Sequence, residues 1–266
     1  MNSPLYFSGF TTLSPEIELQ LIPDAKPQYL NLGGDAVVIC VHGFTGTPYE
    51  VAPAARAIAN TGLSAVAPLL PGHGYKQRSD QERAFASITK KRMLAAARQE
   101  IAQARKQYAH VGMFGFSMGG AISLTMAAEG LLDACAVAAP ALRLPLKAER
   151  LIPLVGWASF TLEAPHQEPF YVPGYEFQHS WALRALWQVS RHARSQLSKV
   201  QCPVLGIHSH NDSTVPPIVL GLMEKHIPQP IETAWFNDSD HLMLLDVSGP
   251  DVALTIANFF QRQFLK

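Results

Sequence analysis

The pentapeptide Gly115-Phe116-Ser117-Met118-Gly119 closes an apolar run, residues 111–116, and opens a helical pattern, residues 118–129. A serine on such a strand–turn–helix corner is a nucleophile elbow, and the small flanking residues allow strand and helix to close around it. A serine hydroxyl alone is a poor nucleophile. It needs a base, and the base needs an acid to orient it. The elbow goes with a chain order of serine, acid, histidine. Asp212 follows the apolar run 204–208, and His241 is the one histidine after the last strand-like run, 231–236. Asp238, Asp240 and Asp246 also lie in this third of the chain. Asp238 and Asp240 are too near His241 in sequence to support the far side of its ring easily, and Asp246 leads into the final helix. Acyl transfer also requires two backbone N–H groups for an oxyanion. Met118, next to the nucleophile, supplies one. The loop His42-Gly43-Phe44-Thr45-Gly46 offers Phe44 as the other. His42 and His73, the latter in Pro71-Gly72-His73-Gly74, read as residues that order loops rather than react.

Those side chains need a scaffold that puts strand ends together. Residues 36–41 (AVVICV) form a continuous β-branched run, as expected of a strand buried on both faces. Residues 49–60 then read as a helix, 63–67 as a strand, 84–108 as one long helix and 111–116 as a strand. Helix 118–129, strand 134–139, strand 204–208, helix 218–226, strand 231–236 and helix 251–264 complete the pattern. This alternation predicts an α/β fold, a mainly parallel sheet with helices on both faces. The stretch 141–200 breaks the rhythm. It is too long for an ordinary crossover, rich in aromatic residues, and interrupted by Pro165, Pro169 and Pro173. It reads as an inserted cap over the carboxyl ends of the strands, leaving 1–140 and 201–266 as the core.

Composition narrows the partners. Lys+Arg and Asp+Glu both number 21, which favours neither nucleic acid nor an anionic surface. Three cysteines without a CxxC make a poor disulfide or zinc framework. Residues 1–6 lack a basic region and a long apolar region, and no run is long enough to span a bilayer, so a cytoplasmic protein without stable membrane insertion is expected. His208-Ser209-His210-Asn211-Asp212 has the form HxHxD, but Ser213 stands where a further metal-ligating histidine is usual, so no metal site is expected.

Together, His42–Gly46, Pro71–Gly74, Gly115–Gly119, Asp212 and Asp240-His241 resemble the bacterial carboxylesterase and monoacylglycerol lipase branch of the α/β-hydrolases. The similarity runs from about residue 26 to the C-terminus and is weakest in the cap. It implies an α/β-hydrolase fold with a small helical cap, no cofactor, and hydrolysis of short- to medium-chain acyl esters or monoacylglycerols, a small-molecule substrate. It carries nucleophile, acid and base onto Ser117, Asp212 and His241, and the oxyanion donors onto Phe44 and Met118. The same triad serves amide, peptide, thioester and carbon–carbon bonds, and a non-catalytic binding protein on this fold is expected to have lost a triad member. The resemblance does not cover the first 25 residues, and the oligomeric state stays open. In the cap, residues 179–199 carry a helical stripe of Leu183, Leu186, Trp187, Ala193 and Leu197 that reads as packing. Trp181 points away from that stripe and is the candidate substrate-binding residue. Its alternative partner is the first half of the cap.

Overall fold

A computed structural model of the chain describes residues 6–31 and 33–265. The short helix α1 (Pro15–Glu18) is followed by β1 (Gln28–Leu30), β2 (Ala36–Val41), α2 (Ala52–Asn60) and β3 (Ser64–Ala67). Then come α3 (Arg78–Ala86), α4 (Lys90–Ala104), β4 (His110–Phe116), α5 (Met118–Ala128) and β5 (Ala134–Ala138). The insertion contributes α6 (Leu146–Val155), β6 (Thr161–Glu163), β7 (Phe177–His179) and α7 (Ser180–Gln196). The chain ends with β8 (Val204–His208), α8 (Ile218–His226), β9 (Glu232–Trp235) and α9 (Gly249–Phe264).

The main sheet has seven strands in the order β1-β3-β2-β4-β5-β8-β9. Only β1 runs antiparallel to its neighbour. Successive side chains of a strand face opposite ways, and here the two faces make two cores. Val37, Ile39 and Val41 of β2, with Val111 and Met113 of β4, pack under α4, α5, α7 and α8. Ala36, Val38 and Cys40, with Phe114 and Phe116, pack under α2 and α9. Burial on both faces is why these strands are apolar runs without alternation.

The long helix expected over 84–108 is two helices. Thr89 interrupts it as an N-cap, its hydroxyl accepting the Arg92 N–H at 3.2 Å. The helix expected from residue 49 begins as a 3-10 turn, Pro48–Val51, before α2. The insertion is a helix, a two-stranded antiparallel hairpin of β6 and β7, and α7. α7 packs on α5, with Ala182, Ala185, Val189 and Ala193 in the sheet's own core. It therefore also serves as the crossover between the parallel neighbours β5 and β8.

The N-terminal segment lies across this framework. Phe7 bridges Leu69 and Leu21 bridges Tyr75. The buried Glu100 carboxylate on α4 accepts from the Ser8 hydroxyl at 2.9 Å, the Gly9 N–H at 3.0 Å and the Tyr6 hydroxyl. Residues 1–5, which bear on the expectation of no leader segment, lie outside the described residues. Among the described residues no helix is long and apolar enough to cross a membrane.

Candidate active site

Ser117 sits between β4 and α5 with φ +52° and ψ −114°, a conformation that a non-glycine residue adopts only when its surroundings enforce it. The surroundings are visible. A Cβ on Gly115 would collide with the Gly119 carbonyl and the Ser123 hydroxyl, and one on Gly119 with the Val41 carbonyl. Close approach of α5 to β2 and β4 thus needs both glycines. The Ser117 N–H donates to the Ala138 carbonyl at 2.9 Å, and the Ser117 carbonyl accepts from Ala141 N–H at 2.9 Å.

β4, β8 and β9 end on the same edge of the sheet, so the loops that follow them meet. His241 Nε2 lies 3.1 Å from Ser117 Oγ, and His241 Nδ1 lies 2.9 Å from Asp212 Oδ2. A carboxylate can only accept, so the proton of that pair sits on Nδ1 and leaves Nε2 free to accept from the serine hydroxyl. The other Asp212 oxygen accepts from the Thr214 and Val215 N–H groups at 2.8 and 2.7 Å. Burial pushes the Asp212 carboxyl up. The hydrogen bond and charge of His241 and those two N–H groups outweigh it and hold the carboxyl below its ordinary value. Asp212 is therefore an anion that can orient the imidazole and stabilise its cation.

Asp240, set aside above as the acid, links the two loops instead. Its carboxylate accepts from Ser213 N–H at 2.8 Å, Ser213 Oγ–H at 2.9 Å and His241 N–H at 2.7 Å. Asp246 accepts from the Ser239 hydroxyl at 2.8 Å and the Ser248 N–H at 3.1 Å. Neither carboxylate is the partner of the His241 ring.

Met118 opens α5, where N–H groups have no helical partner, and Phe44 lies in the loop after β2. Among the described residues neither N–H has a hydrogen-bond acceptor. The Phe44 ring packs on Phe85, with centroids 5.0 Å apart. His42 and His73 are buried and tied to main chain. His42 Nδ1–H donates to the Gly43 carbonyl at 2.9 Å and Nε2 accepts from Leu70 N–H at 3.1 Å. Burial holds His42 well below its ordinary pKa and His73 at about 4, so both are neutral.

Ser117 and His241 open into a cavity of about 810 Å3. One wall is apolar, with Leu144, Ile152, Val172, Leu183 and Leu186 from the insertion. Trp181 is not on it. Its ring lines a separate groove with Trp157 and Ile88, and its indole N–H donates to the Trp157 carbonyl at 3.2 Å. The assignment of Trp181 to the substrate cleft is therefore corrected. α7 turns its Leu183–Leu186 side to Ser117, and Trp181 meets the first half of the insertion. Nor do the members of HxHxD converge. His208 is buried behind Asp212, 3.9 Å from its carboxylate, whereas His210 stacks on Trp235. Among the described residues no cluster of three or more His, Cys, Asp or Glu is placed to hold a metal.

One further residue of the site carries no motif in the sequence. Glu50, on the 3-10 turn before α2, accepts the Gly43 N–H at 2.9 Å and lines the cavity. Burial raises its carboxyl to about 7.

Residues 34–168 match the family described as serine aminopeptidase, S33. The chain belongs to that family. Its fold is that of the α/β-hydrolases. It is 27% identical over 257 residues, 91% of this chain and 96% of the other, to a thermostable monoacylglycerol lipase of Bacillus sp. (strain H-257). Among solved structures it is similar to one from work on LipS and LipT, two metagenome-derived lipolytic enzymes. That match has a TM-score of 0.84 at 25% identity and covers 91% of this chain and 100% of that one. It also superposes on a soluble variant of monoglyceride lipase from Saccharomyces cerevisiae, with a TM-score of 0.75 at 14% identity over 99% of both chains.

Proposed function

We propose that Ser117 is the nucleophile of a serine hydrolase that cleaves carboxylic esters, short- to medium-chain acyl esters or monoacylglycerols, through an acyl-enzyme. The reading is carried by the unbroken relay from Asp212 through His241 to Ser117, at 2.9 and 3.1 Å. His241 Nε2 takes the hydroxyl proton as Ser117 Oγ bonds to the ester carbonyl carbon. The carbonyl oxygen becomes an oxyanion held by the N–H groups of Phe44 and Met118. The C–O bond to the alcohol then breaks and His241 returns its proton to the departing oxygen. Water, deprotonated by His241, then attacks the acyl carbonyl, the bond to Ser117 Oγ breaks, and His241 returns the proton to Oγ as the acid leaves. Asp212 stays ionised throughout and stabilises the imidazolium.

Residues 141–200 act in this reading as a cap. What supports it is the apolar wall that Leu144, Ile152, Val172, Leu183 and Leu186 present to the cavity above Ser117. An acyl chain gains about 0.8 kcal/mol per methylene buried on such a wall. The family's description names an aminopeptidase, whereas the relatives named above are lipolytic enzymes, so the bond is tested directly.

Purified protein should label at Ser117 with a fluorophosphonate and hydrolyse p-nitrophenyl esters and monoacylglycerols of graded chain length. Amino-acid p-nitroanilides should turn over far more slowly. Ser117→Ala should fold normally and lose turnover by on the order of a millionfold. A Ser117→Ala protein that kept a tenth of the parent rate would remove the assignment.

A further inference from the structure

The buried carboxylate at Glu50 takes no part in the proton relay, yet its contacts converge on the loop that carries Phe44. Its Oε2 accepts the Gly43 N–H at 2.9 Å. Its carboxyl fills the space that a side chain on Gly46 would need, and a Cβ on Gly43 would stand 3.1 Å from Oε2. The carboxyl is therefore seated against main chain on both sides of Phe44-Thr45. The opposite side of the loop is held by the insertion. The Thr45 carbonyl accepts Tyr175 N–H, and the Thr47 hydroxyl donates to the Pro173 carbonyl, each at 2.9 Å. Thr45 itself is left-handed, φ +65°. This loop has few alternatives once both holds are made, and a loosened one lets the Phe44 N–H drift.

We propose that Glu50 is a positioning residue for acyl transfer: its carboxylate fixes the main chain of residues 43–46 and thereby aims the Phe44 N–H at the oxyanion. The inference rests on the hydrolase reading above. An ionised carboxylate grips an N–H more strongly than a neutral acid does, so the hold weakens on protonation. The titratable groups around Glu50 are Tyr49 on its own turn, His241 from the loop after β9, and Glu168 from the insertion. His166, Asp240 and Asp246 stand on the walls of the same cavity. The charge of His241 also reaches Glu50, and in the tetrahedral intermediate the Glu50 carboxylate acts with opposite sign on the oxyanion and on the imidazolium. Burial brings Glu50 to about 7, so its hold on the loop changes within the neutral pH range.

The test is Glu50→Gln, which keeps the shape and removes the charge. Full loss of an oxyanion donor costs about 10²–10³ in turnover, and a donor displaced but not removed should cost on the order of tenfold. The expected result is kcat lowered about tenfold with KM within twofold. Affinity for a trifluoromethyl ketone, which forms an oxyanion on Ser117, should fall in step with kcat. A residue that merely supports the fold would not split KM from kcat in this way. The acid limb of log(kcat/KM) against pH should be steeper than one ionisation in the parent and reduce to one in Glu50→Gln. Glu50→Asp, charged but one methylene short of Gly43, should resemble Glu50→Gln. Parent-like kcat and pH profile in Glu50→Gln overturn the inference. If neither variant folds, a parent acid limb that fits a single ionisation overturns it. Fluorophosphonate labelling of Ser117 in the parent keeps the hydrolase reading separately accountable, because it does not depend on Glu50.

Discussion

At Asp212 both carboxylate oxygens are occupied, one by the His241 ring and one by two backbone N–H groups. An amide in its place would keep the shape but present an N–H or a weaker acceptor to Nδ1, and would favour the imidazole tautomer that cannot accept from Ser117. Asp212→Asn is expected to lower kcat by about 10⁴. Asp246→Asn, at a carboxylate that accepts from Ser239 and Ser248 and not from the His241 ring, is expected to stay within about tenfold of the parent. Steady-state kinetics on one p-nitrophenyl ester separate the two, and a crippled Asp246→Asn beside a mild Asp212→Asn would reassign the acid. The residues that meet around Ser117 carry local signals: an elbow between strand and helix, an acid just past a strand end, a single histidine after the last strand. Glu50 carries none. Its link to Gly43 joins a carboxylate to a backbone N–H across a 3-10 turn, and in the sequence it is one acid at the start of an amphipathic helix. The bracing role of Asp240 was equally hidden, since proximity in sequence argues only against the role it does not have.

β2, β3, β4, β5 and β8 could be read from the sequence because burial on both faces leaves apolar runs bounded by breaks, and they and the more exposed β9 lie within a residue or two of their expected positions, whereas β1, a half-buried antiparallel edge strand of three residues, has no such run and was not expected. Helix ends were less legible. Apolar periodicity runs on past residues 87–89, but the capping hydroxyl of Thr89 stops one helix and starts the next. α7 shows a different limit. A helical wheel gives the direction of Trp181 and of the Leu183–Leu186 stripe, but not which direction faces Ser117, and that depends on how the whole helix lies on α5. The placement makes a prediction at this scale. Leu183→Ala removes apolar area from the cavity wall, and up to about tenfold in kcat/KM should be lost for the longest acyl chains, with little change for acetate. Trp181→Ala removes a contact between α7 and the Trp157 segment and should shift all chain lengths alike. A chain-length series on both variants decides. A length-dependent Trp181→Ala with a flat Leu183→Ala would reverse the two roles.

Across the whole molecule, buried carboxyls pull stability in opposite directions with pH. Asp212 is held below its ordinary value, so its contribution is present above the unfolded-chain pKa and is lost as pH falls through the folded one. Glu50 and Glu100 are raised, both first of all by burial. For these the folded state binds the proton more tightly than the unfolded chain, so stability falls as pH rises from the ordinary glutamate range toward the folded value, then levels off. For Glu50 that window runs from about 4.3 to about 7. At about 1.4 kcal/mol per pKa unit, holding Glu50 ionised above pH 7 costs the folded state about 4 kcal/mol. A protein that retains such a charge beside the loop of residues 43–46 is less stable than it need be, as expected where a buried charge serves activity. Glu50→Gln should therefore be the more stable protein at pH 8, by roughly 8–15 °C in Tm for a chain of this size, and nearly equal to the parent at pH 4.5. Glu100 leaves part of the downward slope in both. Thermal or denaturant unfolding of parent and variant at pH 4.5 and pH 8 measures the difference. A Glu50→Gln protein less stable than the parent at pH 8 would mean that the carboxylate is a net support of the fold, and the trade between its charge and stability would be wrong.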